Sequence, residues 1–69
     1  MLGMSSPITA YRKERDQSLE KFGALFGVNK TTVRYWERER VPPERVPEIE
    51  RVTGISRHEL RPDIFGEAA

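Results

Sequence analysis

Residues 18–38 read SLEKFGALFGVNKTTVRYWER, and this stretch decides the predicted fold. Its first half carries apolar residues at the 3.6-residue period of a helix, namely Leu19, Phe22, Leu25 and Phe26. We therefore predict a helix over residues 19–26. Gly27 ends it, because glycine adopts the left-handed conformation that the end of a helix often requires.

A second helix is predicted immediately afterwards, over residues 30–38. The side-chain oxygen of Asn29 is suited to accept from an unpaired amide at its start. Val33 and Trp36 are its inward residues, and Gly23 lies where a small residue lets the two helices approach closely. About three residues separate the helices, which is the length that a helix-turn-helix needs.

Because Val33 and Trp36 face inward, the second helix of this pair has a polar outer face. In a helix-turn-helix, the N-terminal end of that helix enters the major groove of DNA. Arginine can bond guanine bidentately, and threonine can contact thymine. We therefore predict base contacts from Lys30, Thr31 and Arg34. Contacts to the DNA backbone are predicted from Gln17, Ser18, Asn29, Tyr35 and Arg38, with Tyr35 suited equally to plain surface packing.

The flanking sequence predicts three more short helices. One runs over 7–15 and starts at Ser6-Pro7, where serine caps the helix and proline takes its first position. After a single turn over 43–46, another runs from about Pro47 to Thr53, with Val46, Ile49 and Val52 on one face. The last has a reciprocal cap of Ser56 and Glu59 and ends near Arg61, because Pro62 disfavours helical geometry before it. This gives an all-α domain of about five helices over 6–64, with frayed residues 1–5 and a tail over 65–69.

Composition restricts the class of protein further. The chain has 69 residues, no cysteine and a net charge of +1, so we expect one small intracellular domain without a thiolate metal site. No apolar run is long enough for a membrane span.

His58 has no ligand partners at metal spacing and is expected to be exposed. The glutamates lack a nucleophile or a pocket, so we expect neither enzyme activity, cofactor nor metal, and Glu37 and Glu39 are expected to form solvated pairs.

Two blocks of sequence resemble known regulators. Residues 18–38 resemble the helix-turn-helix of the phage Cro and CI repressor family. Residues 41–64, VPPERVPEIERVTGISRHELRPDI, resemble the YdaS-like, Cro-type regulators more closely. The resemblance implies a lambda-repressor-like domain that binds operator DNA. Some relatives are described as antitoxins, which implies a cognate toxin as a further partner. Leu19 departs from the pattern, because many relatives place a glutamine there to brace a phosphate contact.

The predicted function is therefore a cytoplasmic, nucleoid-associated repressor that binds double-stranded DNA as a homodimer. One helix reads only a few base pairs, so a dimer would span two half-sites about 34 Å apart. Candidate dimer residues are Ile55, Leu60, Ile64 and Phe65. The alternative is an antitoxin-like or adaptor module whose main partner is a protein, which the modest net charge supports.

Overall fold

A computed structural model describes residues 6–66, and this part of the chain contains six short helices and no strand. The helices are α1 (Pro7–Glu14), α2 (Leu19–Ala24), α3 (Lys30–Arg38), α4 (Val46–Thr53), α5 (Arg57–Leu60) and α6 (Pro62–Phe65), with a 3-10 turn at Pro43–Arg45 before α4. The prediction of an all-α fold is confirmed. The predicted frayed residues 1–5, and positions 67–69 of the predicted tail, lie outside the described residues.

The first three helices begin at the residues that the sequence predicts. Each N-cap side-chain oxygen accepts a hydrogen bond from a backbone amide three residues later, which satisfies one of the unpaired amides of the first turn. The bonds are Thr9 to Ser6 at 3.1 Å, Lys21 to Ser18 at 3.0 Å and Thr32 to Asn29 at 2.9 Å. Serine and asparagine before each apolar stretch therefore fix where these helices start.

The turn between α2 and α3 depends on two glycines. Gly27 has a φ of +70°, as its predicted role in ending the first helix requires. A Cβ at Gly23 would collide with the carbonyl oxygen of Val28 and lie 3.2 Å from Cγ2 of Val33, so the predicted close approach of the two helices is confirmed. α2 ends two residues earlier than predicted, because the Leu25 and Phe26 amides bond three residues back rather than four.

One apolar core joins residues from all the helices except α6, whose Phe65 packs against it. The buried set comprises Ile8, Phe22, Phe26, Val33, Trp36, Val41, Val46, Ile49 and Leu60. Leu25 and Val52 belong to the apolar pattern of their helices but are 45% and 43% exposed. The pairs Phe22 with Phe26, and Val46 with Ile49, fill the inward faces of their segments, so Leu25 and Val52 lie at the edges.

The carboxy-terminal part differs from the prediction at two points. The sequence predicts that the last helix ends near Arg61 and that the tail begins at residue 65, but residues 62–65 form α6, because Pro62 serves as the first residue of a new helix and Phe65 gains burial against the core. The ring of His58, expected to be exposed, is part-buried, and its Nδ1 lies 3.0 Å and 2.9 Å from the carbonyl oxygens of Phe65 and Gly66. His58 therefore fixes the end of α6.

The cap of α5 also differs from the prediction. Ser56 accepts from the amide of His58 at 3.0 Å. Among the described residues the carboxylate of Glu59 does not return a bond, and Glu50 of α4 instead accepts from the amide of Arg57 at 3.3 Å. A side chain from a neighbouring helix thus helps to cap α5, at the amide one residue after the Ser56 amide that the reciprocal cap assigned to Glu59.

The closest helix pairs lie within two groups of elements. α3 packs on α1 and α2, which together form the amino-terminal half, while α5 packs on α4 and α6, which form the carboxy-terminal half. The two halves meet through core side chains, among them Trp36, over which Arg45 places its guanidinium carbon 5.9 Å from the ring centroid.

Candidate nucleic-acid interface

The outer face of α3 presents a row of positive charge. Lys30, Arg34 and Arg38 follow one another at intervals of four residues, so they are neighbours along the helix surface, and all three are exposed. Thr31 and Tyr35 form the adjacent row, and Tyr35 is 54% exposed. An open groove of about 320 Å³ runs beside them and is lined by Thr31, Arg34, Tyr35, Arg38 and Glu39.

The charges of this row form no ion pair within the described part of the chain. No carboxylate of residues 6–66 lies within 4.0 Å of Lys30, Arg34 or Arg38. By contrast, four arginines that follow α3 in the chain are paired within that distance, namely Arg40, Arg45, Arg57 and Arg61. The small net charge therefore conceals a face of unpaired cations on α3.

The one acidic residue within α3 faces away from this row. Glu37 is 12% exposed and forms a bidentate ion pair with Arg12 of α1, with Nη2 3.2 Å from Oε1. The expectation of a solvated pair at Glu37 is wrong, because α1 covers this side of α3. Nη1 of Arg12 also donates to the carbonyl oxygen of Gln17 at 3.0 Å, so one guanidinium ties α1, the start of α2 and α3 together.

The predicted backbone contacts surround the N-terminal end of α3 unevenly. Ser18 and Asn29 are exposed, but each already caps a helix, and Asn29 Oδ1 accepts from both the amide and the hydroxyl of Thr32. The amide nitrogen of Asn29 is the group left for a phosphate. Gln17 is half-buried, and its Oε1 is buried without a hydrogen-bond partner in the described part. The side-chain nitrogen of Gln17 is therefore the group left for a phosphate contact.

The four candidate dimer residues do not form one exposed surface. Leu60 is 8% exposed and belongs to the core of its own protomer, while Ile55 and Phe65 are half-buried against that core. The structure therefore removes Leu60 as a contact for a partner, because its side chain is already covered. Ile64 is 47% exposed and remains the accessible member of the set.

Sequence reasoning missed a buried arginine at the junction of the two halves. Arg61 is 7% exposed, and its guanidinium binds the carbonyl oxygen of Val41 and both carboxylate oxygens of Asp63. The hydrogen bond from Arg61 lowers the pKa of Asp63 to about 2, and the same bond raises the pKa of Arg61 above its usual value. The Arg-Pro-Asp sequence could have indicated this pair, because proline begins a helix and so places Asp63 in the first turn of α6.

Two other kinds of site are absent from the part of the chain that the structure describes. No helix within 6–66 combines the length and the apolar character that crossing a membrane requires. No group of three or more histidine, aspartate or glutamate side chains comes together there as a potential metal site.

The fold and the α2–turn–α3 geometry define a small, all-α domain of helix-turn-helix-like build. Within that class, residues 18–69 match the family described as bacterial toxin YdaS. The match covers most of the 69 residues, so the chain belongs to the YdaS family, and the predicted YdaS-like membership is confirmed. Neither the curated proteins nor the solved structures compared with the chain gave a significant match.

Proposed function

We propose that this protein is a sequence-specific regulator that binds double-stranded DNA through the outer face of α3. The observation that carries the proposal is the row of Lys30, Arg34 and Arg38, exposed and without an acidic partner among residues 6–66. Such a row attracts phosphates, and arginine at its centre suits recognition of guanine.

The framework behind α3 supports this assignment. Val33 and Trp36 are 0% and 3% exposed, so they anchor the inner side and leave the polar side free. Lys30, Thr31 and Arg34 then approach base edges near the N-terminal end of α3. Arg38 and Tyr35, together with Gln17, Ser18 and Asn29, approach the sugar-phosphate backbone.

A homodimer would complete the interface. α3 has nine residues, which at about 1.5 Å each gives roughly 13 Å, enough for only a few base pairs. The longest dimension of the protomer is 32 Å, comparable with the separation of about 34 Å between half-sites one helical turn apart. Two copies side by side therefore suit a near-palindromic operator, where their presence would exclude polymerase and repress transcription in the cytoplasm.

A salt titration tests the proposal directly. Affinity for duplex from the gene's own upstream region should fall linearly against the logarithm of salt concentration, with a slope of about −0.9 per neutralised phosphate. At about 100 mM salt that duplex should bind more tightly than random duplex. Equal affinity for the two would remove the repressor function from consideration.

The family's description favours a second candidate, in which the main partner is a protein. The resemblance to known regulators implied an antitoxin-like module with a cognate toxin, whereas the matching family is described as a toxin. In this candidate the roles are exchanged, and the partner is an antitoxin. Induced expression in a bacterial host separates the two candidates. If Arg34→Ala relieves the growth arrest that expression causes, the arrest acts through DNA. If this variant leaves the growth arrest unchanged, the arrest acts through a protein.

A further inference from the structure

The loop that follows α3 is bonded by a buried side chain of the carboxy-terminal half. Nη1 of Arg61 donates a buried hydrogen bond of 2.7 Å to the carbonyl oxygen of Val41, which lies 20 residues earlier in the chain. Val41 is itself 3% exposed, only three residues after α3 ends. A buried carbonyl needs such a partner, because leaving it unpaired is costly.

Asp63 fixes the orientation of that arginine. Its carboxylate accepts from Nε of Arg61 at 2.9 Å and from Nη2 at 2.7 Å, so all three guanidinium nitrogens are bound. Asp63 Oδ2 also lies 3.7 Å from Nη1 of Arg40, in the same loop after α3. Asp63 stands in the first turn of α6, so these bonds connect the start of α6 to the loop after α3.

We propose that Arg61 is a positioning residue for the DNA-binding face, by which the carboxy-terminal half sets the direction in which α3 leaves the core. The inference rests on the proposed function. Its basis is that the closest helix contacts lie within each half, while the guanidinium of Arg61 bonds the buried carbonyl of Val41 from the other side of the junction. Lysine cannot replace it, because only the arginine fork bonds a carboxylate bidentately while donating a third bond.

Arg61→Met tests the proposal, with Arg57→Met as its matched control. Arg57 also belongs to the carboxy-terminal half and also pairs with a carboxylate, that of Glu50 at 3.1 Å, but that pair lies between α4 and α5. Two quantities are measured for each folded variant. One is the ratio of affinities for a duplex that the wild-type protein selects from a random pool and for its scrambled version; the other is hydrogen exchange of the amides in α3.

Arg61→Met should lower the affinity ratio about tenfold, the scale of losing one base contact, while Arg57→Met should change it less than about twofold. Exchange should quicken at the end of α3, where the amide of Glu39 bonds the carbonyl of Tyr35. Equal effects of the two variants, or an unchanged ratio in folded Arg61→Met, would overturn the proposal.

If Arg61→Met does not fold, Asp63→Asn is the variant to measure. It keeps the bond from Arg61 to Val41 and weakens only the bonds to residue 63 that orient the guanidinium. A smaller fall in the ratio and faster exchange in α3 are expected, and no change in either contradicts the inference. If the wild-type protein selects no duplex, the proposed function fails. Exchange in α3 then decides alone whether Arg61 positions this helix.

Discussion

Single residues determine the geometry of α3, and Gly23 is the clearest case. Its hydrogen occupies the space where a Cβ would meet the carbonyl oxygen of Val28. That oxygen belongs to the backbone of the turn and cannot rotate away. The absence of one methyl group thus sets the distance between α2 and α3.

Gly23→Ala should therefore destabilise the fold by at least about 2 kcal/mol through overpacking, which outweighs the gain of about 1 kcal/mol from the helix propensity of alanine. Gly27→Ala is the control, since its Cβ meets nothing within 4 Å and only its φ of +70° is unfavourable, at a cost of about 1 kcal/mol. Urea denaturation measures both, and a smaller loss for Gly23→Ala would contradict the close approach.

The residues of the outer face are expected to divide into two kinds. Arg34→Ala should cost about 1–3 kcal/mol of binding and relax preference at one base position, whereas Arg38→Ala should weaken all duplexes alike and reduce the salt slope by about 1. Arg51→Ala is the control, because Arg51 is exposed on α4 and has no carboxylate of residues 6–66 within 4.0 Å. Binding titrations against duplexes with single base changes measure the difference, and identical profiles for Arg34→Ala and Arg38→Ala would refute the division.

At the scale of elements, the amino-terminal half is fastened by an ion pair rather than by apolar contacts alone. Arg12 and Glu37 join α1 to α3 with side chains that are 17% and 12% exposed. Charges so largely removed from water are costly unless they remain paired. Their pairing therefore links the orientation of α1 to that of α3.

Removing one partner should show this cost. Arg12→Met should destabilise the fold by about 2–3 kcal/mol because it leaves Glu37 largely buried and unpaired, and adding Glu37→Leu should recover much of that loss. Arg15→Met is the control, since Arg15 and Glu14 are 50% and 78% exposed and such pairs contribute below about 1 kcal/mol. Chemical denaturation of the single and double variants gives the coupling energy, and a value near zero would show that the pair is not significant for stability.

At the scale of the whole molecule, the distribution of charge matters more than its sum. Residues 1–40 carry eight Lys and Arg against five Asp and Glu, and residues 41–69 carry four against six. In the folded chain, Glu48, Glu50 and Asp63 of the second half pair with Arg45, Arg57 and Arg61, whereas the row on α3 has no carboxylate partner among residues 6–66. A protein with almost no net charge can therefore still present a basic face.

Dimeric binding makes a prediction about spacing. Inserting about five base pairs between the half-sites of a selected duplex turns them to opposite sides of the helix, so affinity should fall to that of a single half-site, while inserting about ten should restore part of it. Gel-shift titration of the three duplexes measures this. Equal affinity for all three would indicate that one protomer binds alone.

The sequence by itself determined the local structure of this protein. Capping residues and glycines act on the backbone of their immediate neighbours. Ser6, Ser18 and Asn29 therefore mark the starts of the first three helices, and Gly27 marks the turn before α3, as predicted. The inward placement of Val33 and Trp36 also followed from helical period alone, and with it the outward face of α3.

Only the tertiary structure decided which charges pair and which apolar residues are covered. Arg12 and Glu37 are 25 residues apart and Arg61 and Val41 are 20 apart, and no local pattern connects positions so distant. Tertiary structure also decides the burial of Leu60, which depends on how α5 meets the core, and the formation of α6, whose Phe65 packs against that core. Local rules fix the starts of the first three helices and the outward face of α3, and packing between distant segments fixes which side chains become paired or buried.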